Sequence, residues 1–209
     1  MTDSRFQLES ARADAARLLA ACYYEPEPAF EEESLFEALS TAARSLDPAF
    51  GAEAEGLAAD FAAEPLEELL RDYTRLFLGP IETLAPPYGS VWLSGPRSLM
   101  DDSTLAVQAL YEEAGYELAE DFRELPDHVA AELEFLYALS FRVSRALANG
   151  PDEGQAQAAV SRNLRQRLLA EHLSRWLPPF AAAIERGAAT AFYRRVGRLT
   201  ARLAALSFD

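Results

Sequence analysis

The chain has 209 residues and one cysteine, Cys22, which excludes an internal disulfide framework and a metal site built from several thiolates. Its basic residues are 19 arginines, and 34 acidic residues bring the formal net charge to −15. Residues 1–150 carry −19 of formal charge, whereas residues 151–209 carry +4. The acidic first two thirds should repel nucleic acid and anionic membranes and attract cationic ligands.

Half of the residues are apolar and 40 are alanines, so the composition favours helices over sheets and predicts an all-α fold. The N-terminal stretch contains acidic residues and no continuous apolar core, which argues against a secretory signal. No run approaches the roughly 18 apolar residues that span a bilayer. We therefore expect a cytoplasmic protein without stable membrane insertion, and a buried, inert Cys22.

Apolar residues recur at helical spacing along the chain, and no fixed-period repeat or hairpin signal interrupts them. The pattern predicts a single globular bundle of about eight to nine helices with a proline-rich central loop. The predicted helices cover about 3–24, 30–46, 48–63, 65–78, 102–114, 127–148, 153–176, 178–186 and 192–206.

Helix boundaries are predicted from proline, glycine and capping residues. Asp127 should cap the helix that follows it, because its carboxylate can accept hydrogen bonds from the free amides of the first turn. Asp102, Ser103 or Thr104 should cap the helix that ends at Gly115. The pair Pro178 and Pro179 should break the chain and start a new helix.

The stretch 78–95 reads LGPIETLAPPYGSVWLSG and holds prolines, glycines and bulky apolar side chains. It cannot be a helix interior, because proline removes a hydrogen-bond donor and clashes with the preceding turn. Such a loop is either fixed into a core or offered to a partner. We expect both, with Tyr88 and Trp92 as its largest side chains.

Catalytic and metal sites find little support in the sequence. Neither GxGxxG nor GxxxxGK occurs, which argues against a nucleotide loop. The two histidines are not preceded by glutamate at the spacing of bundle metal sites, and His128 with Glu132 would supply only two ligands. Ser90 and Ser94 lack the GxSxG frame of an activated serine. We predict no catalytic residue, no metal and no cofactor.

Several motifs in consistent order resemble the TorD/DmsD family, cytoplasmic chaperones that mature molybdenum-cofactor oxidoreductases exported by the twin-arginine route. The DmsD branch is the nearer match. The likeness extends over nearly the whole chain, and the motifs are LLAACYYEPEP near the start, DYTRLFLGP at 72–80, APPYGSVWL at 85–93, DDSTLAVQALYEEAG at 101–115, LPDHVAAELEF at 125–135 and EHLSRWLPPF at 171–180.

The resemblance implies one all-helical chaperone domain over residues 1–209, without enzymatic activity. Its implied partners are the twin-arginine leader and the apo-catalytic subunit of a molybdopterin oxidoreductase, held until the cofactor is inserted. The implied state is a monomer that can swap helices into a dimer, as relatives do. Carried over by motif, the signal-peptide-binding residues are Tyr73, Leu76, Phe77, Pro86, Pro87, Tyr88, Trp92, Asp127 and His128, with Glu132 supporting them.

A twin-arginine leader joins two guanidinium groups to an apolar segment, so its receptor needs an apolar groove beside carboxylates. Tyr73 and Tyr88 stand where members of the DmsD branch carry tryptophan, which leaves the client open. Two other functions stay open from the sequence. One is a metal- or cofactor-handling enzyme around His128 and Glu132, and the other is a helical adaptor in which Tyr88 and Trp92 are fully buried.

Overall fold

The computed structural model describes residues 2–79, 83–95, 100–119, 122–148 and 155–208. Within these ranges the chain is a helical bundle that contains no strand, so the all-α prediction is confirmed. The α-helices are α1 (Thr2–Ala21), α2 (Ala29–Glu32), α3 (Leu35–Leu46), α4 (Pro48–Ala54), α5 (Leu57–Ala62), α6 (Leu66–Tyr73), α7 (Gly89–Leu93), α8 (Asp102–Ala114), α9 (Val129–Ala148), α10 (Gln155–Leu168), α11 (Ser174–Gly187) and α12 (Ala191–Ala205).

These twelve helices of the described ranges exceed the predicted eight or nine because two predicted helices are divided. Ser34 adopts a left-handed conformation with φ of 55° and separates α2 from α3. Gly56 lies between α4 and α5. The central loop also contains the short helix α7, which was not predicted.

Two π turns extend helices beyond their α-helical parts. One, Thr74–Leu78, continues α6, and the other, Leu169–Leu173, joins α10 to α11. The predicted break at Pro178 and Pro179 is wrong, because both prolines lie inside α11. Trp176, Leu177 and Phe180 are buried around them. Burial of these side chains outweighs the helix-breaking tendency of the two prolines.

The core is assembled around α1 and α9, which pack against each other. Helix α3 packs on α1, α10 packs on α9, and α11 packs on α12. Cys22 is fully buried, and burial raises the pKa of its thiol to about 12, as expected for an inert cysteine. The largest fully buried side chains are Trp176, Tyr23, Tyr193, Phe36, Phe50, Phe135, Phe180 and Phe192.

A buried ionic network joins the first helix to the end of the chain. Arg165, only 2% exposed, forms an ion pair with Glu9 and donates to the carbonyl of Phe208 at 2.8 Å. Arg12 pairs with Glu9 at 2.8 Å and donates to the carbonyl of Ser207 at 2.9 Å. The two guanidinium groups also lie over the Phe208 ring. Residues 207 and 208 are therefore fixed against α1 and α10.

None of the described helices is both long enough and apolar enough to cross a bilayer.

Candidate functional site

The central loop is fixed by backbone hydrogen bonds to the start of α9. The Gly89 amide donates to the Asp127 carbonyl at 2.9 Å, and the Val129 amide donates to the Pro87 carbonyl at 2.8 Å. Tyr88 and His128 form an isolated antiparallel β-bridge between these two bonds. The motifs at 85–93 and 125–135, which are far apart in sequence, thus form one unit.

Asp127 is buried at this junction, with an exposed fraction of 1%. Its Oδ2 atom accepts the backbone amide of Ser90 at 2.8 Å. The prediction that Asp127 caps its own helix is wrong. The capping side chain is that of His128, whose Nδ1 atom accepts the amide of Ala130 at 3.2 Å. In this conformation the Asp127 carboxylate shapes the loop and lies below the surface.

His128 is packed between two aromatic rings. Its ring lies 5.4 Å from the Tyr88 ring and 6.1 Å from the Phe122 ring, both edge-on. Burial lowers the pKa of His128 to about 4, although the carboxylates of Glu124 and Asp127 act in the opposite direction. The imidazole is therefore neutral at pH 7, as its acceptor role at Nδ1 requires.

Glu132 lies beneath the loop and is completely buried. Its Oε2 atom accepts the indole N–H of Trp176 at 3.4 Å, and burial raises its pKa well above the usual range. A side chain on Gly89 would place its Cβ 3.1 Å from both Glu132 Oε1 and Trp176 Nε1. The loop therefore approaches α9 so closely that only glycine fits at position 89 without displacement.

Tyr88 and Trp92 are half-buried, which does not fit the adaptor alternative in which both are fully covered. The Tyr88 hydroxyl donates to Glu124 Oε2 at 2.5 Å. The Trp92 indole N–H donates to the Pro86 carbonyl at 2.8 Å, and its ring meets Phe180 at 6.0 Å. Both rings thus have one edge bonded within the protein and one part open to solvent.

The other predicted site residues lie mostly below this surface. Leu76, Phe77 and Pro87 are buried, whereas Tyr73 and Pro86 are half-buried. The Phe77 ring packs edge-on against the Tyr73 ring at 5.4 Å. Burial, followed by the charges of nearby glutamates, raises the pKa of Tyr73 to about 12. Leu76 and Phe77 therefore support the surface from the core and do not line it.

Sequence reasoning missed the role of Asp72, the first residue of the DYTRLFLGP motif. It is 3% exposed and accepts the backbone amides of Ala189 and Thr190 at 2.9 and 2.8 Å, together with the Thr190 hydroxyl at 2.8 Å. Asp72 thus fixes α6 to the start of α12. The motif itself was a signal for this residue, since aspartate is rarely buried without partners.

Glu124 and Trp176 were also missed, although the motifs at 125–135 and 171–180 adjoin or contain them. Glu124 is exposed, and its carboxylate accepts the hydrogen bond of the Tyr88 hydroxyl. Among the described residues, no three histidine, cysteine, aspartate or glutamate side chains are grouped as a metal site would require. The junction is therefore an aromatic surface with an adjacent carboxylate, supported by a buried polar layer.

Comparison with known proteins gives a consistent assignment. A family model described as nitrate reductase delta subunit matches residues 43–182. The Tat proofreading chaperone DmsD of Salmonella typhi is 32% identical over 188 residues, which cover 90% of this chain and 84% of that protein. The chaperone protein TorD of Photobacterium profundum is 31% identical over 114 residues, or 54% of this chain and 50% of TorD.

A crystal structure from Archaeoglobus fulgidus, of a protein provisionally assigned to redox enzyme maturation, is 21% identical with a TM-score of 0.46. The matched part covers 75% of this chain and 93% of the Archaeoglobus fulgidus chain. A helical bundle that presents a fixed aromatic loop is suited to binding. The chain belongs to the nitrate reductase delta subunit family, which includes the TorD and DmsD chaperones. It is a chaperone and not an enzyme, as the motif resemblance implied.

Proposed function

We propose that this chaperone binds the twin-arginine signal peptide of a molybdopterin oxidoreductase in the cytoplasm. It holds the apo-catalytic subunit until the molybdenum cofactor is inserted and then releases it for export. The similarity to a Tat proofreading chaperone over 90% of the chain supports this function. The acidic character of residues 1–150 suits a ligand that carries arginines.

The observation that carries the proposal is the attachment of the loop to α9. Two backbone hydrogen bonds and the Asp127–Ser90 bond hold the loop in place without the help of a ligand atom. A surface organised in advance loses little conformational entropy on binding. Tyr88 and Trp92 then offer aromatic area to an apolar segment, and Glu124 offers a carboxylate to a guanidinium group.

The predicted site residues divide into three roles in this proposal. Tyr88, Trp92 and Pro86 contact the signal peptide. Asp127, His128 and Pro87 position the loop, and the remaining residues support it from the core, namely Tyr73, Leu76, Phe77 and Glu132. This division explains why Asp127, which is only 1% exposed, is among the predicted binding residues.

We also propose that residues 1–209 act as one chaperone domain and as a monomer. One continuous cluster of buried apolar residues extends from Ala15 to Phe208. The buried ionic network further connects α1 to the last residues. Exchange of helices between two copies, which would re-form the same contacts between the chains, is the alternative that relatives suggest.

Calorimetric titration with a synthetic leader peptide tests the proposal. The peptide is the leader of a molybdopterin oxidoreductase that carries a twin-arginine motif. We expect saturable binding that Trp92→Ala weakens by about tenfold or more, because large aromatic side chains dominate such interfaces. Phe141→Ala is the matched control, since Phe141 is an exposed aromatic residue elsewhere on α9. Absence of binding by the wild-type protein would contradict the proposed function.

A further inference from the structure

A cavity of about 460 Å³ adjoins the proposed signal-peptide surface. Phe122 lines this cavity, and its ring also meets the His128 ring, so the cavity begins where the Tyr88–His128 junction ends. Its volume lies within the range of about 300–1,000 Å³ that is common for ligand pockets. None of the residues carried over from the family motifs lines it.

The cavity combines aromatic walls with a carboxylate. Tyr24 and Tyr116 line it together with Phe122, and Glu134 reaches it from α9. The Tyr24 hydroxyl donates to Glu134 Oε1 at 2.7 Å. Burial raises the pKa of Tyr116 to about 12, so this phenol stays neutral at physiological pH. The cavity therefore contains neutral rings beside a carboxylate.

No cation of the protein neutralises this cavity, as far as the described residues show. Two glutamates line it, Glu117 and Glu134, and neither forms an ion pair with any residue in the described ranges. The arginines that form ion pairs within the described ranges do so with other acidic residues, as Arg71 does with Glu67 and Glu68 on α6. The cavity is thus suited to a cation from a ligand.

We propose that this cavity is a subsite for an arginine side chain of the signal peptide, bound between the aromatic walls and the Glu134 carboxylate. The inference rests on the proposed function and adds a specificity site to it. A carboxylate accepts up to about four hydrogen bonds, and Tyr24 uses one of them. Two parallel bonds from a guanidinium group remain available.

The walls favour arginine over lysine and over an apolar side chain. A guanidinium group is planar and stacks on aromatic rings, whereas an ammonium group is compact and strongly hydrated. An apolar side chain would cover Glu134 without giving its carboxylate a partner, which is costly. The cavity therefore selects the type of residue that defines a twin-arginine leader.

The arrangement of Tyr24 and Glu134 is repeated at the loop. There the Tyr88 hydroxyl donates to Glu124 at 2.5 Å, on the other side of the His128 and Phe122 rings. Both glutamates hold a tyrosine hydroxyl and leave carboxylate positions open. Glu124 can therefore accept a second guanidinium group while the first lies in the cavity at Glu134.

The test compares two leader peptides that differ only at the two arginines, one with Arg-Arg and one with Lys-Lys. Both are titrated into the wild-type chain, Glu134→Gln and Tyr24→Phe by calorimetry. Glu185→Gln is the control for loss of one negative charge, because Glu185 is exposed on α11. Thermal unfolding confirms that each variant is folded. The dipeptide N-acetyl-Arg-Arg-amide is titrated as a separate probe of the cavity.

We expect the wild-type protein to prefer the Arg-Arg leader, and Glu134→Gln to weaken that leader by about tenfold while the control does not. The preference over Lys-Lys should shrink in Glu134→Gln. Equal binding by the wild type and Glu134→Gln would overturn the subsite and leave the proposed function intact. Binding of the dipeptide, sensitive to Glu134→Gln, without binding of the leader would support the subsite and contradict the proposed function.

Discussion

Asp127 and Ser90 are joined by a hydrogen bond of 2.8 Å between a buried carboxylate and a buried backbone amide. The bond connects the residues just before α9 with the first turn of α7. The second carboxylate oxygen, Oδ1, has no hydrogen-bond partner among the described protein atoms. A buried acceptor that serves the backbone of another element determines where that element lies, and here the element is the loop with Tyr88 and Trp92.

Substitutions at Asp127 separate the role of its hydrogen bond to Ser90 from the role of its negative charge. Asp127→Ala leaves the Ser90 amide without its acceptor, so we expect a loss of about 1–3 kcal/mol in the free energy of unfolding. Asp127→Asn retains an acceptor oxygen and should lose less stability and less leader affinity. Urea unfolding and calorimetry measure both quantities. The exposed Asp14→Ala is the control, and an asparagine variant as damaged as the alanine variant would contradict the role.

Gly89→Ala tests the close approach of the loop to α9. The added Cβ would lie 3.1 Å from Glu132 Oε1 and Trp176 Nε1, so these two buried side chains or the loop must give way by a few tenths of an ångström. We expect a loss of about 1–3 kcal/mol, typical of overpacking, together with weaker leader binding. Chemical unfolding gives the first value and titration the second. Asn163→Ala, at an exposed position on α10, should leave both unchanged, and a fully stable Gly89→Ala would exclude this packing.

The pKa of His128 predicts a pH dependence of stability. The unfolded histidine takes up a proton below about pH 6.5, whereas burial lowers the pKa of folded His128 to about 4. Between these values the unfolded state binds more protons, so this contribution is present above pH 6.5 and is lost as the pH falls towards 4. The loss in the wild type should be about 1–3 kcal/mol larger than in His128→Gln.

Two other buried groups contribute to the same pH range. Burial also lowers the pKa of His172, which acts in the same direction, while the raised pKa of Glu132 acts in the opposite one. Because both remain in His128→Gln, the difference between the two unfolding curves isolates His128. Thermal unfolding from pH 7 to pH 4.5 gives the curves, with His172→Gln for comparison. Parallel curves for the wild type and His128→Gln would show that His128 keeps its ordinary pKa.

Arg165→Met tests the ionic network at the chain ends. It removes one of the two arginine partners of Glu9 and the donor to the Phe208 carbonyl, both of which are shielded from water. Because Arg12 still pairs with Glu9, we expect a loss of about 1–3 kcal/mol, less than the roughly 3–5 kcal/mol of an unpaired buried charge. Arg162→Met, on the exposed side of the same helix, removes the same charge and should change stability by less than about 0.5 kcal/mol. Equal denaturation midpoints for the two variants would contradict the network.

The helices could be predicted from sequence because their stripes of apolar residues are long and regular. The stripe of α9, with Val129, Leu133 and Leu136, is fully buried as its spacing indicates. Boundaries set by packing could not be predicted in this way. Local rules place a break at Pro178, but they do not include the burial of Trp176 and Phe180 on either side of it.

The candidate site could be predicted only in part, because contacts between distant elements are not visible in the sequence. Motifs identified the loop and the Asp-His pair, but an aspartate before a helix reads as a cap whether its carboxylate faces its own helix or another element. Only the fold shows that Asp127 faces Ser90. Tyr24 and Glu134 could not be paired from sequence, because residues 110 positions apart carry no sign of contact in a single chain.

The attachment of Ser207 and Phe208 to Arg12 and Arg165 has a consequence for truncation. The Ser207 carbonyl lies 195 positions from Arg12 in the sequence, yet it satisfies a guanidinium group of the first helix. A chain cut before residue 207 would leave both guanidinium groups without these acceptors. It should unfold at a lower denaturant concentration even though α1 and α10 are intact.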